Sequence, residues 1–248
     1  MTDEVNQHPL ERIVADQVRL IKEFETRYPD VYLLTSTAGK LVWATVGEAA
    51  QITGLDEAEV CRLLLWQMIG KYQFDSLLMI VTGDLDAAYA TLRNATELVR
   101  DVASIGNDVS MAQRWWASKR NDKRDKLFRF DDSVSNQKYV HQLYKMASNW
   151  GTHGHITGLS HTEQIGVAGR ENNVGLLRVG PKGIEETLAV WLCGFFPMQF
   201  ICFEPFAKRH PDRFRELGTM LMNHADLVGK AVKRLRGQEA ADLTRSSR

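Results

Sequence analysis

The run TLAVWLCGFFPMQFICF, residues 187–203, carries seventeen consecutive residues without a charge. Such a segment has to leave water, because each large apolar side chain that is buried gains roughly 1.5–3 kcal/mol. A helix that crosses a bilayer needs about 20 apolar residues. This run is shorter and has Pro197 and Gln199 near its middle. It is expected to be the most buried helix of a bundle, kinked at Pro197 and apolar enough on every side to line a subunit interface as well. The rest of the chain has to wrap it.

The flanking segments have the pattern needed to do so. From Pro9, apolar residues recur at Leu10, Ile13, Val14, Val18, Ile21, Phe24 and Tyr28, a helical stripe that Pro29 ends. WQMIGKYQFDSLLMIVTG (66–83) continues as helix. Gly83 and Asp84 then read as a break and an N-cap. Leu85, Ala88, Leu92, Ala95, Val99 and Val102 form one face of a long helix, which Gly106 closes. His210-Pro211-Asp212 opens a last helix, with Phe214, Leu217, Leu221, Ala225, Val228, Ala231 and Leu235 as its core stripe and His224 as a packed histidine at its border. Two stretches interrupt the helices. VYLLTSTAGKLVWATV (31–46) is rich in β-formers around Ala38-Gly39-Lys40 and reads as a short hairpin or crossover. GVAGRENNVGLLRVGPKG (166–183) reads as a loop with a small hairpin turning at Asn172-Asn173.

The expected fold is therefore an all-α, multi-helix, mostly antiparallel bundle with a short β-hairpin insert near 31–46 or 166–180. The chain divides into an N-terminal helical unit (1–82), a main bundle (83–237) and a flexible tail (238–248), or forms one undivided domain. The formal net charge is zero, with 31 basic and 31 acidic residues, so no whole-surface attraction to nucleic acid or anionic lipid is expected. The start MTDEVNQHPLER has no apolar core, so no signal peptide is expected. Cys61, Cys193 and Cys202 are odd in number and far apart, which fits free thiols in a reducing cytoplasm.

Four segments carry candidate chemistry. In VGEAAQITGLDEAEVCRLL (46–64), Ala50, Gly54 and Val60 stand at the spacing of a helix-turn-helix unit, with Leu55 and Leu63 filling apolar positions. This stretch resembles the DNA-binding helix-turn-helix family. Its recognition helix would begin with Asp56, Glu57 and Glu59, which phosphates repel, and Arg62 would be its cationic contact. The competing reading is a helical hairpin capped by Asp56. RWWASKRNDKRDKLFRF (114–130) interleaves cations with rings: Arg114, Lys119, Arg120, Lys123 and Arg124 beside Trp115 and Trp116. These are candidate nucleic-acid or phosphate contacts, and an amphipathic helix with solvated basic residues is the plainer expectation. His153, His155 and His161 lie close together, but without helix-face spacing or paired cysteines they are weak metal candidates, and no cofactor is expected. Arg93 and Glu97 form an i,i+4 pair on the stripe next to the apolar face.

The run of Leu92, Arg93 and Glu97, then Trp115 or Trp116, then Tyr144, Ser148, His153 and Gly154, resembles a group of uncharacterised bacterial helical proteins of unknown function. The pattern is LR-x-x-x-E, Trp, Tyr-x-x-x-Ser, His-Gly. The resemblance implies that Arg93, Glu97 and His153 meet in the bundle interior. They would form either a fold-specifying network or a catalytic site with His153 as acid/base and Arg93 on a phosphate. Helical nucleases of the HEPN superfamily share only the overall build, since here no Arg stands a short step before a His. The function expected first is a cytoplasmic helical binding or regulatory protein without classical catalytic machinery, which acts by binding a partner or a second copy of itself, with nucleic acid a less favoured partner and no membrane. An RNA- or nucleotide-acting enzyme of a stress or phage-defence system is second, and a DNA-binding regulator through 46–64 is third.

Overall fold

The computed structural model describes residues 9–118, 128–151, 162–165, 176–179 and 181–235. These form, in chain order, α1 (Pro9–Arg27), α2 (Pro29–Ala50), α3 (Glu57–Thr82), α4 (Leu85–Ile105), α5 (Val109–Ala117), α6 (Ser135–Gly151), β1 (Thr162–Ile165), β2 (Leu176–Val179), α7 (Pro181–Arg209) and α8 (Pro211–Leu235). The fold is an all-α, multi-helix bundle. The two strands pair antiparallel, Thr162 opposite Val179 and Ile165 opposite Leu176. The tail 238–248 and the proposed turn at Asn172-Asn173 lie outside the described residues.

Helix boundaries follow from local chemistry. Asp56 accepts from the Glu59 amide at 2.9 Å while Glu59 Oε2 accepts from the Asp56 amide at 3.0 Å, a reciprocal capping box that starts α3. Gly83 ends α3 with φ of +82°, which only a residue without Cβ takes freely. Asp84 and Asp108 cap α4 and α5 by accepting from backbone amides.

One buried apolar cluster runs from Phe24 to Val232 and crosses the 82/83 boundary, with α3 and α4 in extensive contact across it. Helix α7 is the hub, touching α2, α3, α4, α6 and α8. It buries Trp191, Phe195, Met198, Cys202 and Phe206 and runs through Pro197 and Pro205. By length and composition it is the one described helix that qualifies as a membrane span, and 72% of its most apolar window is packed inside the bundle. Two devices fix its neighbours. Gly194 lets α6 approach, since a Cβ there would come 2.4 Å from Leu143 Cδ2. On the α3 side a buried polar chain crosses the core. Trp66 Nε1 donates to Gln199 Oε1 at 2.7 Å, and Gln199 Nε2 donates to Gln73 Oε1 at 2.5 Å. Trp191 Nε1 donates to the Gln73 carbonyl at 2.8 Å. An indole can only donate, so Trp66 fixes the direction of every amide after it.

The hairpin expected at 31–46 is instead the middle of α2. Val31, Thr35, Ala38, Leu41, Val42, Thr45, Val46 and Ala49 recur at helical spacing and are all buried. Packing on α8 and α3 therefore overrides the local β-propensity. Thr45 adapts by donating back to the Leu41 carbonyl at 2.9 Å. The basic segment 114–130 is also not one amphipathic helix: α5 stops at Ala117, Ser118 is its C-cap, and the described residues resume at the buried Phe128.

Candidate functional site

Arg93 and Glu97 sit one turn apart on α4, Arg93 Nε 3.0 Å from Glu97 Oε1, with each side chain about a third exposed (32% and 31%). The Arg93 guanidinium lies 5.7 Å over the Tyr144 ring of α6. This is a half-solvated ion pair leaning on an aromatic face, rather than the fully interior cluster that the resemblance implies. Ser148 lies one turn further along α6. His153, His155 and His161 fall outside the described residues.

A second polar knot lies further along α4. Asp101 is fully buried, accepting from Trp115 Nε1 at 2.9 Å and from Arg100 Nη2 at 3.2 Å. Trp115 is thereby committed to the α4–α5 contact. Trp116, 53% exposed, meets it edge to face at 5.0 Å, and Arg114 is exposed beside them. Lys119, Arg120, Lys123 and Arg124 fall outside the described residues, so the proposed basic surface is placed only at its first three positions.

The segment 46–64 forms a helical hairpin whose register is not that of a DNA reader. Gly54 does take the turn, at φ +74°. Ala50 and Val60, expected to touch across the interface, are exposed. Arg62, expected to face a groove, is 1% exposed. It lies on the buried stripe of Ala58, Cys61 and Leu65, so the helix directs it inward. Its guanidinium stands 5.1 Å over Phe206, and none of its nitrogens meets a hydrogen-bond acceptor. Burial pulls the Arg62 pKa below the ordinary arginine value, against the neighbouring Glu59 and Asp56 carboxylates, and a guanidinium remains charged throughout. Glu59 is itself 1% exposed, 3.0 Å from Arg209 Nη1 and 3.5 Å from His210 Nε2. Burial pushes the Asp56 carboxyl upward, but its bonds from Arg209 and the Glu59 amide outweigh this and hold it below the usual range. This cluster ties the start of α3 to the α7–α8 bend.

An open, largely apolar groove of about 660 Å³ lies between α2 and α3, bordered by Tyr32, Ser36, Gly39, Lys40 and Trp43 of α2 and by Phe74 and Leu77 of α3. Trp43 is 51% exposed and Leu33, on the outer side of α2, is 66% exposed. Gly39 opens the groove floor, since a Cβ there would sit 3.2 Å from the Phe74 ring. Sequence reasoning missed the groove because it read residues 31–46 as a hairpin. The signal was the i, i+4, i+7, i+11 spacing of Tyr32, Ser36, Gly39 and Trp43.

No protein-family model matches the chain, and no curated protein or solved structure matches it either.

Proposed function

We propose that the chain is a helical binding or regulatory protein and that the α2–α3 groove is its contact surface. The observation that carries this reading is Trp43. A half-exposed tryptophan beside a Phe74/Leu77 floor, with Lys40 at the rim, has the make-up of an interface anchor with a polar edge. Isolated exposed apolar residues are ordinary, whereas a contiguous ring-lined groove between two helices is what an amphipathic partner helix fills. Cys61, Cys193 and Cys202 form no disulfide with one another, which fits a reducing, cytoplasmic setting.

The test is fluorescence anisotropy with a labelled amphipathic helical peptide that carries Leu at i, i+3, i+4 and i+7 and Glu on its flank. The native protein should bind it, and Trp43→Ser should weaken binding by about tenfold, or ~1.4 kcal/mol. Binding that ignores Trp43, or no binding at all, would refute the reading.

A second reading, a phosphate- or RNA-acting enzyme, draws support from the half-solvated Arg93 beside Tyr144. It requires that His153→Ala abolish RNA turnover with the melting temperature unchanged, and intact turnover would end it. Regulation through DNA contacts at Arg62 finds no support, because that side chain is interior.

A further inference from the structure

We propose that the occupant of the α2–α3 groove is helix α1 of a second copy of this chain, seated reciprocally, so that each copy lends its α1 and receives its partner's. This rests on the reading of the groove as a contact surface.

Among the described side chains of α1, the buried contacts with the bundle lie in its last two turns. Phe24 is buried against Tyr32, ring to ring at 6.4 Å, and Tyr28 Oη donates to Glu185 at 2.9 Å. Every side chain from Val14 to Arg19 is exposed, Val14 at 57% and Val18 at 47%. A helix with an apolar stripe that projects into water has a face that is not yet covered. Val14 and Val18 carry its exposed apolar surface, and the line continues through the partly buried Ile21 to the exposed Glu25, at i, i+4, i+7 and i+11. The groove stripe on α2 is Tyr32, Ser36, Gly39 and Trp43, at the same spacing. The two therefore extend equally, about 17 Å at 1.5 Å per residue. The small Ser36 and Gly39 leave room for branched side chains between the two rings. The charges match as well. Glu25 ends the α1 stripe and Lys40 borders the groove, both are exposed, and neither forms an ion pair among the described residues.

The donor has to be another molecule. Only Tyr28 separates α1 from α2, and Phe24 and Tyr28 are pinned, so α1 cannot lay its outer turns along its own groove without releasing both anchors. With a net charge of zero, two copies approach without long-range repulsion. A single three-turn contact would be small, and reciprocal seating doubles it toward the area of a stable dimer.

The experiment is sedimentation equilibrium on the full chain, on Val18→Glu, on Trp43→Ser and on their equimolar mixture, with circular dichroism as a folding control and Val18→Lys in reserve. The native chain should dimerise, and each variant should weaken dimerisation by tenfold or more. The mixture should regain part of the association, because the Val18→Glu copy keeps a sound groove and the Trp43→Ser copy keeps a sound α1. A native chain that stays monomeric, dimers indifferent to both variants, or a mixture no better than its components would each overturn the proposal. A monomeric chain that still binds the labelled peptide through Trp43 would leave the groove reading standing and remove only this occupant, whereas loss of both would remove both.

Discussion

Replacing Gln199 with leucine tests whether the polar chain through the core holds α3 to α7. The side chain is 1% exposed and serves two partners, the Trp66 indole at 2.7 Å and the Gln73 carboxamide at 2.5 Å. Leucine is close in volume but can neither accept nor donate. It leaves Trp66 Nε1 and Gln73 Oε1 unpaired at positions with no exposure. An orphaned buried neutral group costs about 1–3 kcal/mol, so two cost about 2–6. The gain from an apolar side chain offsets part of that, leaving a net loss of about 2–4 kcal/mol. For a chain of this size that lowers the melting temperature by about 4–16 °C. Urea denaturation followed by tryptophan fluorescence reads the change. Trp66→Phe removes the orphaned donor, so the loss caused by Gln199→Leu should be smaller in that background by about 1 kcal/mol or more. A loss under about 0.5 kcal/mol, or one that Trp66→Phe leaves unchanged, would show that the chain does not fix the packing.

Burial pushes the Tyr89 phenol up to about 12. The unfolded chain then releases this proton first, near pH 10, so stability is intact below pH 10 and falls as pH rises toward 12. The two-unit difference corresponds to at most about 2.7 kcal/mol, and Tyr89→Phe should flatten that part of a pH-stability profile measured by urea denaturation. Burial also raises the Cys202 thiol well above its ordinary value, and Cys61 is buried too, whereas Cys193 is half-exposed. Iodoacetamide should therefore label Cys193 alone in the native protein, and mass mapping that finds Cys202 modified first would contradict the packing of α7. Arg62→Met should be neutral or stabilising by up to about 1 kcal/mol, because it removes a buried cation that has no hydrogen-bonded partner. Glu59→Gln should cost about 2 kcal/mol or more by thermal melting, since it withdraws a buried carboxylate that opposes the charges of Arg62 and Arg209, and the reverse order would refute that account of the cluster.

Much of the architecture could be read from the one-dimensional pattern. The uncharged run at 187–203 is the buried hub, Asp56, Gly83, Asp84 and Gly106 mark real helix ends, and His224 packs beside Phe196, its Nε2 2.9 Å from the Leu34 carbonyl to which it donates. What failed had a common cause. Propensity in 31–46 is local, while the burial of Val42, Thr45 and Val46 is set by packing on the next helix, α3, and on α8, which is distant in sequence. The helix-turn-helix resemblance puts Arg62 on an outward recognition face, yet its stripe, Ala58, Cys61 and Leu65, is the buried one. The Arg93–Glu97 spacing was readable, but its ring partner Tyr144 comes from another helix and is set by the fold. Gln73 and Gln199 illustrate the same limit. Each is a polar residue in an apolar neighbourhood, and only the meeting of α3 with α7 turns the pair into a connected chain.

The missing side chain at Gly194 makes positions 194 and 143 a single unit of variation. Alanine at 194 alone collides with Leu143, and a smaller residue at 143 alone opens a void between α6 and α7. Changed together, for instance as Gly194→Ala with Leu143→Val, the two alterations cancel in volume. Sequence drift in this bundle should therefore cross that contact in paired steps, and each single step should be less stable than either endpoint.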